Sequence, residues 1–342
     1  MRTKAAIIGS GSWGTALATL LGEKGVDVMM WAREPEVARG INSCHANPLY
    51  LSDITLPKCV KATGDPQEAL KGRELVVSVV PSHALRKFWS SAGNAVEPGA
   101  VVVSCTKGIE VESLKLMRGV LMECMPSMKP SSFMVLSGPS FAREVACAQP
   151  TSVVVAGEDD VSCRGVQEIF RTDKFLTFTS GDPTGVEVGG AVKNVVAIAS
   201  GITDGMKLGY NARASLITRG LYEMIKIGQS LGANPLTFSG LSGIGDLVLT
   251  CTEGLSRNHR VGLKLGEGRP PKLISRDMED GHMVAEGIPM ARAVHELGAR
   301  LGINMPICDA VYRILFENLS PASAMEELCS LTLREELGSI IR

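Results

Sequence analysis

Short apolar runs separated by amphipathic stretches fill the first half of the chain. Ala5–Ile8, Val26–Trp31, Leu75–Val80, Val101–Cys105 and Phe133–Ser137 have the length and composition of strands, and Thr151–Ala156 and Phe175–Phe178 read as later ones. Thr15–Glu23 carries helical spacing and is closed by Gly25, and Pro81 stops the third strand. Runs of Val and Ile this continuous mark strands covered on both faces. Their alternation with helical stretches predicts βαβ units and a mostly parallel sheet. From about Asp182 the apolar residues fall at helical spacing instead, over Val186–Ile202, Ala212–Leu231, Ile288–Leu301, Ile307–Glu317 and Ser323–Leu328, with almost no strand pattern. The Asp182-Pro183 pair is turn-like. The pattern therefore predicts an α/β domain over 1–183 and an all-α domain over 184–342. Gly266–Ser275, with its Gly-Arg-Pro-Pro, reads as an exposed loop.

The length of 342 residues agrees with two domains. The formal net charge of −1 gives no global field toward nucleic acid or an anionic membrane, so an anion would have to be held by a local basic group. The nine cysteines are odd in number and scattered, with no CxxC and no HExxH, which speaks against a disulfide framework and predicts no metal site. Met1-Arg2-Thr3-Lys4 leads into an apolar stretch that glycines break too early for a signal peptide. No continuous apolar run approaches the ~18–20 residues of a membrane span. Free thiols in apolar runs suit a reducing compartment, so the expectation is a cytoplasmic protein.

Chemistry enters with Gly9-Ser10-Gly11-Ser12-Trp13-Gly14, a GxGxxG that follows a predicted strand and opens a predicted helix. In that context the pattern points to a Rossmann-like dinucleotide-binding domain. Gly9 would permit the tight turn, Gly11 the approach of a pyrophosphate, and Gly14 close packing of helix on strand. The helix N-terminus would face the diphosphate with free N–H groups. Where an NAD-specific site carries an acid at the end of the second strand, this chain has Arg33. A guanidinium there can pair with a 2′-phosphate, which favours NADPH; with Glu34 beside it, a solvated surface arginine is the other reading.

Three further groups of residues stand out. Ser104-Cys105-Thr106-Lys107-Gly108 and Ser137-Gly138-Pro139-Ser140-Phe141-Ala142 each follow a strand, where open α/β sheets bind ligands. Gly185-Val186-Glu187-Val188-Gly189-Gly190-Ala191-Val192-Lys193-Asn194 opens the long helix; its internal glycines cost ~1 kcal/mol each against alanine, so they suggest close approach. Lys193 lies on the face of Gly189, among valines that would desolvate it, although a plain surface lysine is the alternative. Asp246, alone among small and apolar residues in Gly240–Thr250, is the obvious partner for Lys193. Ser256-Arg257-Asn258 gathers three anion-friendly groups; a helix start would equally explain Ser256 as an N-cap.

Taken in order, Gly9–Gly14, Ser104–Gly108, Ser137–Ala142, Gly185–Asn194, Gly240–Thr250 and Ser256–Asn258 resemble the bacterial type of NAD(P)-dependent glycerol-3-phosphate dehydrogenase, and they cover nearly the whole chain. The GVExGGAxKN stretch is the most specific of them and the GxGxxG the least. The resemblance implies interconversion of dihydroxyacetone phosphate and sn-glycerol 3-phosphate, NADP or NAD as cofactor, no metal, a homodimer and a role in glycerophospholipid synthesis. It implies Lys193 as acid/base with Asp246 beside it. A substrate site of Lys107, Gly138, Ser140, Lys193, Asp246, Ser256, Arg257 and Asn258 also follows from it. Cofactor contacts are implied at Ser12, Trp13, Arg33, Lys107, Ala142, Arg257, Val284 and Glu286, beside the loop glycines Gly9, Gly11 and Gly14. Two alternatives stay open on the residues alone: a related dehydrogenase of a non-phosphorylated hydroxy or keto acid, and a non-catalytic NAD(P)-sensing protein.

Overall fold

The computed structural model describes residues 3–280 and 285–330. They form two compact units, one of residues 1–107 with 116–183 and one of 108–115 with 184–342. Residues 108–115, expected from sequence in the first domain, pack with the second unit: the amide of Ile109 lies 3.1 Å from Met290 Sδ.

The first unit holds an eight-stranded sheet: β1 (Lys4–Ile8), β2 (Asp27–Trp31), β3 (Val60–Thr63), β4 (Leu75–Ser78), β5 (Val101–Ser104), β6 (Phe133–Ser137), β7 (Thr151–Ala156) and β8 (Phe175–Ser180). Their order is β3-β2-β1-β4-β5-β6-β7-β8, parallel throughout except between β6 and β7. The strands expected from sequence are present with ends moved by one or two residues. β3 was missed: it is a four-residue edge strand with Lys61 exposed, and its apolar–polar alternation is as short as a strand signal can be. Helices α1 (Ser12–Glu23), α2 (Pro35–Cys44), α3 (Pro66–Leu70), α4 (Ser82–Ala92), α5 (Met117–Cys124), α6 (Ala142–Ala146) and α7 (Asp160–Phe170) connect the strands. The continuous apolar runs are explained by the two faces of the sheet. Ala5, Ile7, Val77, Val103 and Leu136 enter one core, while their neighbours Ala6, Ile8, Val76, Val102 and Phe133 enter the other.

The second unit is helical, with no strand among its described residues: α8 (Pro183–Gly205), α9 (Tyr210–Ser230), α10 (Asp246–Thr252), α11 (Arg257–Gly266), α12 (Pro271–Asp280), α13 (Gly287–Leu301), α14 (Pro306–Phe316) and α15 (Pro321–Cys329). The expected loop over 266–275 shrinks to 267–270. α11 runs through Gly266, and Pro271 opens α12, where its missing N–H costs nothing.

α8 is the core of this unit. Residues 185–203 are all buried, so no hydrophobic stripe distinguishes one side from another. By length and composition α8 is apolar enough to cross a membrane, but it is no continuous apolar run, holding Glu187 and Lys193, and its apolar window is entirely buried inside the protein. Glycines set its closest contact. A Cβ on Gly201 would stand 2.0 Å from the His259 carbonyl oxygen and one on Gly205 2.3 Å from that of Leu263. Reciprocally, a Cβ on Gly262 would stand 2.0 Å from the carbonyl of Ile198 and one on Gly266 2.3 Å from that of Ile202. Two glycines four residues apart on each helix thus let α8 and α11 meet backbone to backbone.

A buried carboxylate ties α9 to α14. Glu223, 2% exposed, accepts from the amides of Ile307 (2.7 Å) and Cys308 (3.0 Å) in the first turn of α14. Those bonds favour the charged form, but burial outweighs them and pushes the carboxyl from its ordinary 4.5 up to about 7. A carboxyl raised in the folded state contributes stability that is complete below the unfolded value and is lost as pH rises through the folded one. Between about pH 5 and about pH 8, Glu223→Gln is therefore expected to gain stability relative to the parent, by on the order of 3 kcal/mol at most. Urea unfolding of both proteins at the two pH values checks this; a parent–variant difference independent of pH would mean that Glu223 stays charged throughout.

Candidate active site

In the first unit, β1 ends at Ile8 and the chain turns through Gly9, whose φ of +120° suits glycine and whose Cβ would lie 2.8 Å from the Val79 carbonyl oxygen. Gly14 packs the first turn of α1 onto that turn: a Cβ there would stand 1.9 Å from the Gly9 carbonyl oxygen. Around a Cβ placed on Gly11 there is no atom within 4 Å, so the loop leaves its outer side open at the residue where a pyrophosphate would approach. The first turn of α1, with Ser12 and Trp13, carries no acidic side chain, and its leading N–H groups have no carbonyl of the helix to bind. Backbone and macrodipole together fit a diphosphate.

Arg33 follows β2 and is 79% exposed at its side chain, with its guanidinium 2.6 Å from Glu34 Oε1. Lys107 follows β5 and reaches the Gly138 carbonyl oxygen at 3.4 Å; Ser140 Oγ donates to the same oxygen at 2.9 Å. The ends of β5 and β6 are thereby drawn together. Gly138 has φ +142°, and a Cβ on it would meet Val153 Cα at 3.0 Å. Ala142 opens α6, which packs on α1.

In the second unit, Lys193 Nζ donates to Asp246 Oδ1 at 2.6 Å and to Thr250 Oγ1 at 2.8 Å. The side chains of Lys193 and Asp246 are 7% and 1% exposed. Thr250, one turn beyond Asp246 on α10, donates its hydroxyl proton to the Asp246 carbonyl at 2.6 Å, which leaves its oxygen lone pair toward the lysine. Gly189 makes this junction possible: a Cβ would stand 2.3 Å from the Ser242 carbonyl oxygen, so the turn at 241–245 can cross α8 and deliver Asp246. Next to Lys193, Asn194 Oδ1 accepts from Asn258 Nδ2 at 2.9 Å, and Asn258 Oδ1 accepts from the Gly287 amide at 3.0 Å. Ser256 caps α11, accepting from the His259 amide at 3.2 Å, while Arg257 at the first helical position is exposed. Asp204 on α8 fastens the same turn through His259 Nε2 (2.9 Å) and also accepts from the Arg213 guanidinium of α9 (2.8 Å). Burial pushes the Cys251 thiol, next to Thr250, up to about 12 although Lys193 pulls the other way, so it is a packing group and no nucleophile. Among the described residues no group of His, Cys, Asp and Glu is placed to hold a metal ion.

Residues 4–163 match the N-terminal and residues 182–326 the C-terminal part of the family described as NAD-dependent glycerol-3-phosphate dehydrogenase. The chain belongs to this family. It is 45% identical over 331 residues to glycerol-3-phosphate dehydrogenase [NAD(P)+] of Syntrophobacter fumaroxidans, covering 97% of this chain and 96% of that protein. The protein of the same name from Anaeromyxobacter sp. is 47% identical over 334 residues, 98% of this chain and all of its own length. A crystal structure of glycerol-3-phosphate dehydrogenase from Coxiella burnetii superposes with a TM-score of 0.91 at 37% identity, over 96% of this chain and 99% of that one. A ketopantoate reductase from Ralstonia eutropha shares the fold alone, with a TM-score of 0.63 at 17% identity over 94% of this chain and 100% of that one.

Set against this family, the residues expected from sequence fall into local clusters. Gly9, Gly11, Ser12, Trp13 and Gly14 form one, Lys107, Gly138 and Ser140 a second, and Lys193 and Asp246 a third. Ser256, Arg257 and Asn258 share the first turn of α11, with Asn258 bonded to the residue after Lys193. Glu286 directly precedes α13, and Val284 lies outside the described residues. Two contributors were not singled out from sequence. Thr250 was legible as the i+4 neighbour of Asp246 on one helix face. Asn194 had no such signal, since its partner Asn258 is 64 residues away.

The pair also predicts how the fold responds to its loss. Lys193→Met leaves Asp246 buried without its counter-charge, which costs about 3–5 kcal/mol. Adding Asp246→Asn should restore most of that. Urea unfolding of the parent, both single variants and the double variant checks it; additive losses would mean that the two charges do not depend on one another.

Proposed function

We propose that this protein is an NAD(P)-dependent glycerol-3-phosphate dehydrogenase that interconverts dihydroxyacetone phosphate and sn-glycerol 3-phosphate, with Lys193 as the acid/base. The observation that carries the reading is the buried Lys193–Asp246–Thr250 cluster in a chain related over its whole length to enzymes of that name. A bound dihydronicotinamide supplies the hydride. Lys193, held as an ammonium by Asp246, donates a proton to the carbonyl oxygen in reduction and takes it back in oxidation. Asp246 and Thr250 hold its ammonium in place at 2.6 and 2.8 Å. Arg257 and Asn258 bind the phosphate. The exposed guanidinium suits two phosphate oxygens, and Asn258 keeps one N–H beyond its bond to Asn194. Anchoring the remote phosphate positions the reacting carbon, so the anchor serves the chemical step as well as affinity.

Arg33, with Lys107, Ala142, Glu286 and the glycine loop, completes the cofactor contacts of this proposal, in which NADPH is used at least as well as NADH. The proposal extends to a cytoplasmic homodimer feeding glycerophospholipid synthesis, and to domains of residues 1–183 and 184–342 with 108–115 joined to the second.

NADPH oxidation followed at 340 nm with dihydroxyacetone phosphate tests the reading, and dihydroxyacetone without its phosphate should be a very poor substrate. Turnover of both ketones alike, or of neither, would overturn it. Arg257→Ala should raise KM for the phosphorylated ketone roughly 10–100-fold and lower kcat as well, from the loss of a charge-assisted contact. Unchanged kinetics would remove Arg257 from the phosphate site. Arg33→Asp should move the preference toward NADH, because a carboxylate repels the 2′-phosphate and accepts from the 2′-hydroxyl. A ratio of NADPH to NADH efficiency equal to the parent's would take Arg33 out of cofactor recognition.

A further inference from the structure

Asn47 lies in none of the segments discussed so far, yet it is the most completely bonded polar side chain around the glycine loop. It is fully buried, in the connection between α2 and β3. Its Nδ2 donates to the Ser10 carbonyl oxygen at 2.8 Å and to Thr15 Oγ1 at 2.8 Å. Its Oδ1 accepts from the amides of Leu49 and Tyr50, both at 3.1 Å. Two donors and two lone pairs are all that a carboxamide has, and all are used. Thr15 Oγ1 approaches the same Ser10 oxygen at 3.4 Å.

What this fixes is the orientation of one peptide. The Ser10 carbonyl and the Gly11 N–H belong to the same planar trans unit, so they point in opposite directions. A carbonyl held inward by Asn47 turns the Gly11 N–H the opposite way, outward, at a residue whose Cβ position is itself open, with no atom within 4 Å. Without the clamp that peptide is free to rotate, and its carbonyl would then present a partial negative charge to an approaching diphosphate. The remaining bonds, to Leu49 and Tyr50, close a turn on the asparagine itself, so the donor is held in place by the loop that carries it.

We propose that Asn47 is a positioning residue for dinucleotide binding, its buried carboxamide holding the Ser10–Gly11 peptide so that the Gly11 N–H faces the cofactor's pyrophosphate. The proposal rests on the dinucleotide-dependent activity proposed above, and deepens it by assigning a determinant of pyrophosphate affinity outside the GxGxxG.

Asn47→Asp tests it: the variant keeps an acceptor for Leu49 and Tyr50, loses the donor to Ser10, and sets a carboxylate against that carbonyl. Asn47→Ser keeps a shorter acceptor for the turn and cannot reach Ser10; it decides the question if the Asp variant fails to fold. Each is titrated at equilibrium, without ketone, with NADPH and with adenosine 2′-monophosphate, which has the adenosine and 2′-phosphate but no pyrophosphate. The expected result is a Kd for NADPH raised roughly tenfold or more, with that for adenosine 2′-monophosphate within about twofold of the parent. At saturating NADPH, KM for dihydroxyacetone phosphate should stay near the parent value. Parent-like NADPH affinity would overturn the assignment. So would equal weakening of both nucleotides together with a lowered Tm, which is what a purely structural anchor would give. A parent that binds NADPH but does not reduce dihydroxyacetone phosphate would sink the substrate assignment and leave this one standing, whereas a parent that binds neither nucleotide would sink both.

Discussion

A lysine ammonium and an aspartate carboxylate, both almost out of contact with solvent, can coexist in a helical core only if each satisfies the other. Taking two ions out of water costs several kcal/mol apiece, and close geometry must repay it. Much of the second unit answers that constraint. Gly189 lets the chain at Ser242 cross α8, which brings Asp246 to 2.6 Å from Lys193. Thr250 sits one helical turn beyond Asp246 and adds a second acceptor. The rest of α8 is buried among apolar neighbours, which keeps competing water away from the pair. Such a pair adds little net stability for its cost, but it fixes the ammonium in one orientation.

Glycine recurs as the means of bringing backbone against backbone, with a different result each time. At Gly9 and Gly14 it seats α1 on β1 and frames an anion site at the helix N-terminus. Along Gly201, Gly205, Gly262 and Gly266 it fuses α8 to α11, so the turn that carries Arg257 and Asn258 is held to the helix that carries Lys193 and Asn194. The Asp204–His259 contact reinforces the same junction from the far side of that turn. In the proposed reaction, a phosphate anchor and a proton donor on this one pair of helices would keep a constant separation, as orientation of a small phosphorylated ketone demands.

How much of this the chain's letters carry depends on the range of the interaction. The strands of the first unit were readable because burial on both faces leaves an uninterrupted apolar run, as in Leu75–Ser78. β3 was not, because its alternation Val-Lys-Ala-Thr spans only four residues and contains no apolar run. The partnership of Lys193 and Asp246 was inferable from an improbable carboxylate among apolar residues. Its distance, and the share taken by Thr250, depend on the crossing of Ser242 over Gly189, which no local pattern encodes. Asn258 shows the limit: read as an anion ligand, it also clasps Asn194 and Gly287 from two other stretches of chain. Asn47 shows it again, since a single asparagine in a loop has no sequence signal for the carbonyl it meets 37 residues earlier.

In the proposed reaction Lys193 delivers the proton in the step in which hydride reaches the carbonyl carbon. The most direct measurement is single-turnover oxidation of C4-deuterated and undeuterated NADPH by Lys193→Met with saturating dihydroxyacetone phosphate, beside a cofactor titration of the same variant. The account predicts that hydride transfer slows by roughly 10²–10⁴-fold with a fully expressed isotope effect, while NADPH affinity stays near the parent value. A hydride-transfer rate within a few-fold of the parent would contradict it and leave the proton to another group.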